Sequence, residues 1–108
     1  MAKLEKVLYG NFDQLLQKIE NGILDSSISA SLEETSDFKI NNARCSVRVF
    51  ERYSYAGSNR VSLNVTLFQG EDEKIYISAI STGGSQAMFF KFNTIGEEAF
   101  LDKLRQLL

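Results

Sequence analysis

The chain has 108 residues, 44% hydrophobic and 24% charged, which suits one folded domain of about 100–150 residues and leaves no room for a second independent core. Fourteen acidic against twelve basic residues give a net charge of −2, so no overall field draws it to nucleic acid or to an anionic membrane. With no histidine and a single cysteine, Ser-His and Cys-His catalysis, histidine metal ligation, an internal disulfide and a thiolate zinc cage are all excluded.

The opening stretch, MAKLEKVLYG, has no signal-peptide apolar run, and no apolar segment is long enough to span a membrane; a cytoplasmic location is expected. Residues 3–8 alternate weakly and predict a short strand ended by Gly10. Asn11 and Gln14 form a capping-box pattern, and Phe12, Leu15, Leu16 and Ile19 fall at helical spacing, which predicts a helix over 11–21 with Gly22 as its left-handed C-cap.

From Ser26 the period changes to two. Ile28, Ala30 and Leu32 alternate with serines, and after a turn at Asn41-Asn42, Cys45, Val47 and Val49 alternate with Arg44, Ser46 and Arg48. Past a turn at Ala56 to Asn59 come Val61, Leu63, Val65 and Leu67; past Gly70 to Glu73 come Ile75, Ile77 and Ala79; past Thr82 to Ser85 come Met88, Phe90 and Phe92. That makes five strands in a row. Thr94 with Glu97 gives a second capping box, placing Gly96 in the first turn of a terminal helix whose face carries Phe100, Leu101, Leu104, Leu107 and Leu108.

The expected fold is α+β and two-layered: an antiparallel meander of about six strands, with a helix from the N-terminal half and a C-terminal helix packed on one face. Two helices, each about 10 Å across, can cover one face of such a sheet and leave the other open. The alternation assigns Val47, Val49, Val61, Leu63, Val65, Ile75, Ile77, Phe90 and Phe92 to the covered side. The open side then carries Arg44, Ser46, Arg48, Phe50, Arg52, Ser62, Asn64, Thr66, Phe68, Tyr76, Ser78, Ile80, Phe89 and Lys91.

Arginines beside aromatics characterise interfaces more than solvated sheets. Arg44, Arg48 and Arg52 share one strand face and Arg60 lies just across a hairpin, so their guanidiniums could converge on an anion; paired with carboxylates of neighbouring strands, with Glu51 and Glu73 the acids nearest in sequence, they would instead be a structural ladder. Stacking on single-stranded nucleic acid is a weaker option against the negative net charge. Gly83, Gly84 and Ser85 offer successive N–H groups for an anion, but the lysine and following helix of a phosphate-binding loop are missing, so a plain glycine hairpin is the simpler reading. Cys45 shares the parity of Val47 and reads as a buried small apolar residue; Tyr53 and Tyr55 flank a hairpin and could line a pocket mouth. No catalytic constellation or cofactor signature emerges. The function expected is a non-enzymatic binding or assembly module, a homodimer built through the open face or a sheet edge with Arg48 and Arg52 supplying directional hydrogen bonds. Besides a second copy, the partners considered are a small molecule or an anion, not nucleic acid or membrane. The alternative is a small-ligand carrier with its pocket between the sheet and the terminal helix.

Four strings, Ala30-Ser31-Leu32-Glu33, Cys45 to Tyr55, Asn59 to Leu63 and Ser78 to Lys91, together with Gly96 to Leu101, resemble a family of small uncharacterised proteins from Gram-positive bacteria, a domain of unknown function. The resemblance covers nearly the whole chain; it implies a bacterial, cytoplasmic context and brings no activity with it. The element order is also similar in outline to the helix-grip folds, which hold apolar ligands between a curved sheet and the last helix. This chain has one long helix fewer, and Phe90, Phe92, Phe100 and Leu104 are expected to fill that space.

Overall fold

The computed structural model describes residues 1–54, 59–83 and 90–108, and the side chains of all of these except 90–94. Five strands, β1 (Ala2–Tyr9), β2 (Ser31–Ile40), β3 (Ala43–Ser54), β4 (Asn59–Gln69) and β5 (Lys74–Gly83), and two helices, α1 (Phe12–Asp25) and α2 (Phe90–Arg105), make up the α+β fold. The strands form one open sheet in the order β1-β5-β4-β3-β2, antiparallel at every pairing. The expected sixth strand does not exist among the described residues: Phe90 and Phe92 belong to α2. Alternation over three positions is too short to tell strand from helix, and Phe92, Gly96 and Phe100 stand at the four-residue spacing of a helix face. Met88 and Phe89 lie outside the described residues.

Local signals explain the first helix. The Asn11 side chain accepts a hydrogen bond from the Gln14 N–H at 2.9 Å, as an N-cap should. The helix does not stop at Gly22, however; it continues to Asp25 with Ser26 as its C-cap. Gly22 serves α2 instead, since a Cβ there would run into the Leu107 side chain. In the same way Gly96 is buried inside α2, not in its first turn, with the Ser54 hydroxyl where a Cβ would go. Ile28 and Ala30 precede β2, and Ile28 is fully exposed, so that strand starts later than its period suggests.

The core lies between the sheet and both helices. Phe12, Leu16, Ile19 and Ile23 of α1 and Phe100, Leu101 and Leu104 of α2 pack with Phe50, Val61, Leu63, Val65, Leu67, Ile75, Ile77 and Ala79. α2 covers β1, β5 and β4, and α1 sits beside it toward β2. The expected covered residues of β4 and β5 are therefore correct. Those of β3 are inverted.

The inversion follows from register. Ser54 pairs with Asn59, so every even-numbered residue of β3 lies opposite an odd-numbered residue of β4: Phe50 with Leu63, Arg48 with Val65, Ser46 with Leu67. Directly opposed residues project to the same face. Arg44, Ser46, Arg48, Phe50 and Arg52 consequently share the helix side with the β4 aliphatics, and Cys45, Val47 and Val49 go to the open side. A β-bulge between Leu32 and Glu34 produces a second switch in β2: Leu32 joins the core face opposite Phe50, but beyond the bulge Phe38 and Ile40 lie on the open face.

Candidate functional site

Three arginines of β3 meet the helices, and each solves the problem of burial differently. Arg44 stacks over the Phe12 ring at 4.3 Å from its centroid and pairs with Asp13 at 2.6 Å. Arg48, buried, is held between two carboxylates, Glu20 at 3.0 Å and Asp37 at 2.9 Å, and donates a further hydrogen bond to the Val47 carbonyl. Arg52 lies over the Phe100 ring at 4.8 Å and has no acidic partner among the described residues; its Nε is buried without an acceptor.

The first two pairs match in spacing. Asp13 and Glu20 are seven residues apart, two turns and about 10 Å on one helix face, and Arg44 and Arg48 stand about 13 Å apart along the strand. α1 is thus laid along β3 by two charged contacts, one in its first turn and one past its middle.

The charges are tuned accordingly. The Asp37 carboxyl is held below its ordinary range by the Ser46 hydroxyl and then by Arg48. Burial works against the Arg48 charge, but the hydrogen bonds to Asp37 and Glu20 outweigh it and raise its pKa. Burial alone lowers that of Arg52. Because the acids come from α1 and β2, they were not visible as neighbours in sequence. Glu51, the acid that is near, pairs instead with Arg60 at 3.0 Å on the opposite face of the sheet, where Arg60 also reaches the Ser29 carbonyl and the Ser31 hydroxyl. The four guanidiniums therefore do not converge on one anion. The cleft of about 350 Å³ beside Arg44 is lined by Asp13, Glu71, Asp72 and Glu73, a set that repels one.

The remaining expected site residues divide as follows. Phe50 is fully buried in the core, not exposed. Phe68 and Asn64 do lie on the open face, where Asn64 sits beside the Thr66 hydroxyl. Gly83 ends β5 opposite Val61. Gly84, Ser85 and Tyr55 lie outside the described residues, and the side chain of Lys91 is not described.

The open face carries a feature that the sequence pattern did not show. Register places Val7, Tyr76, Phe68, Cys45 and Phe38 in one row across all five strands, with Tyr9 and Ile40 flanking its two ends. Phe38 and Ile40 are about 70% exposed, and Val7, Phe68 and Tyr76 nearly half. The Phe68 and Tyr76 rings touch in a tilted arrangement with centroids 6.3 Å apart. Val7, Thr66, Phe68, Tyr76 and Ser78 border an open groove of about 370 Å³. Cys45 is half-buried in this row, not part of the core, and Val47 and Val49 lie beside it.

Against this geometry, one comparison is informative: the model of a family of unknown function (DUF6054) matches residues 1–108. The chain belongs to this family. No curated protein matches the sequence. Membership of DUF6054 brings no activity with it, so the reading of function rests on the two sheet faces. Among the described residues no helix is long and apolar enough to cross a membrane.

Two outcomes test the roles given to the inner face. Arg48→Met is expected to lower unfolding free energy by about 2 kcal/mol, because Glu20 and Asp37 lose a charged hydrogen-bond partner but remain partly solvated; Arg52→Met, which removes a partly buried charge with no acid beside it among the described residues, is expected to be neutral or stabilising, both read by urea denaturation. Since the folded-state pKa of Asp37 is depressed, its contribution is complete above the ordinary carboxylate pKa of about 3.9 and is lost as pH falls through the lower folded value. Thermal unfolding followed from neutral pH to below about pH 4 should show a shallower acid loss in Asp37→Asn than in the parent.

Proposed function

We propose that the protein is a non-enzymatic module that assembles with a second copy of itself through the open sheet face. The observation that supports this is the apolar row. Aromatic side chains present about 150–250 Å² each, so the exposed parts of Val7, Tyr9, Phe38, Ile40, Phe68, Tyr76 and Ile80 amount to on the order of 700 Å². That exceeds the largest apolar patch of a typical monomer, about 300–600 Å², and approaches the roughly 800 Å² per partner of a stable interface. The arginines first expected to direct docking are committed to α1 and to Phe100, so apolar contact carries the association, with charges only at its margin.

A second reading, a small anionic ligand between sheet and α2, draws on Arg52. Among the described residues its Nε and both amide atoms of Asn59 are buried without partners, and register puts Arg52 and Asn59 on the same face at adjoining positions. An ionised carboxylate there would accept from the Arg52 Nε–H and the Asn59 amide N–H.

Sedimentation equilibrium at high micromolar concentration separates the two. Self-association predicts a dimer for the parent chain and a monomer for Phe68→Glu with an unchanged far-UV circular dichroism spectrum; a monomeric parent overturns it. The ligand reading predicts a co-purifying acid in native mass spectrometry, absent from Arg52→Met, and is overturned when the parent carries none and shows no stabilisation by short-chain carboxylates.

A further inference from the structure

We infer that the second copy docks with its two-fold axis parallel to β4, so that β1 of each protomer lies across β2 of the other. The inference rests on the self-association reading and specifies its symmetry. A closed dimer needs a surface that matches itself under a half-turn. In the order β1-β5-β4-β3-β2 the central strand is β4, and a half-turn about an axis along it, in the plane between two stacked sheets, exchanges β1 with β2 and β5 with β3 while keeping each level along the strands.

At the apolar row and at the row four residues from it, the open face is complementary to itself under this operation, and between them Thr66 meets its counterpart on the axis, Ser78 meets the partner's Val47 and Glu5 meets the partner's Ser36. In the apolar row, Phe68 meets the partner's Phe68 on the axis, Tyr76 meets the partner's Cys45 and Val7 meets the partner's Phe38. At the flank, Tyr9 meets the partner's Ile40. Four residues further along, the row reads Lys3, Ile80, Asn64, Val49, Glu34: Ile80 meets the partner's Val49, and Lys3 meets the partner's Glu34 at both corners. Stacked sheets lie about 10 Å apart, a gap that a lysine and a glutamate span together. Among the described residues Lys3 is held within its own chain only by an exposed contact with Glu5 at 3.5 Å, which is readily exchanged.

The other in-plane axis, running along the apolar row, fits worse. It would lay the long side of the sheet, which extends from the row to Tyr53 and Arg60, over the short side that ends at Tyr9 and Ile40, leaving much of the face unmatched. It would also bring Lys3 opposite no acid.

A charge exchange and a cross-link test the symmetry. Lys3→Glu and Glu34→Lys each place like charges at both corners and are expected to weaken the dimer about tenfold in sedimentation equilibrium, and the double exchange is expected to restore it. In a Cys45→Ser background, Phe68→Cys should be joined to its counterpart across the axis by a bis-maleimide of about 8 Å reach, suited to a gap of about 10 Å between sheets, whereas Glu5→Cys, on β1 and about 20 Å from its counterpart, should not. A dimer that forms with no rescue by the double exchange and no cross-link at position 68 overturns the axis and leaves self-association standing. A parent chain that stays monomeric overturns self-association itself.

Discussion

The pairing of Ser54 with Asn59 governs much of this structure. It joins an even-numbered set in β3 to an odd-numbered set in β4, and with helices on one face only, that single relation decides which half of β3 is sheltered. Either half could have been. Arg44, Ser46, Arg48, Phe50 and Arg52 carry one large apolar group among polar ones, while Cys45, Val47 and Val49 are uniformly small and apolar. The register shelters the polar set, and the chain meets the cost by supplying Asp13 and Glu20 from α1 and Asp37 from β2.

This arrangement makes the inner arginines part of the scaffold. A helix packed only by Phe12, Leu16, Ile19 and Ile23 could slide along a smooth aliphatic sheet with little penalty. Charged contacts at Arg44 and Arg48, spaced like the acids on the helix, fix its position along β3. The same exchange moves valines and a cysteine outward, where they join Phe68, Tyr76, Val7 and Phe38. Burial of charge on one face and exposure of apolar surface on the other are therefore two results of one register.

Much of the architecture was legible in sequence. The Asn11 cap, the α1 face, the alternation of β4 and β5 and the Asn41-Asn42 turn all follow from local rules, and the observed elements agree with them. What was not legible is what depends on partners distant in the chain. The phase of β3 hinges on one pairing across a hairpin, and its own residues are ambiguous. Gly22 looks like a helix end until Leu107 is seen beside it, and the counter-charges lie 31 residues from Arg44 and 28 and 11 residues from Arg48. The apolar row is legible only in part: alternation puts Phe68 and Tyr76 on the open side, but Cys45 and Phe38 join them through the register of β3 and the bulge of β2.

The bulge between Leu32 and Glu34 acts on β2 as a frameshift acts on a message. One surplus residue leaves the composition downstream untouched yet reverses its reading, sending Asp37 toward Arg48 and turning Phe38 and Ile40 outward. Were β2 to continue past Leu32 and Phe50 without the bulge, Phe38 would fall opposite Arg44 and turn inward while Asp37 fell opposite Cys45 and turned outward. A one-residue offset in pairing, with no change of composition, thus decides whether Phe38 widens the outer apolar row or leaves it.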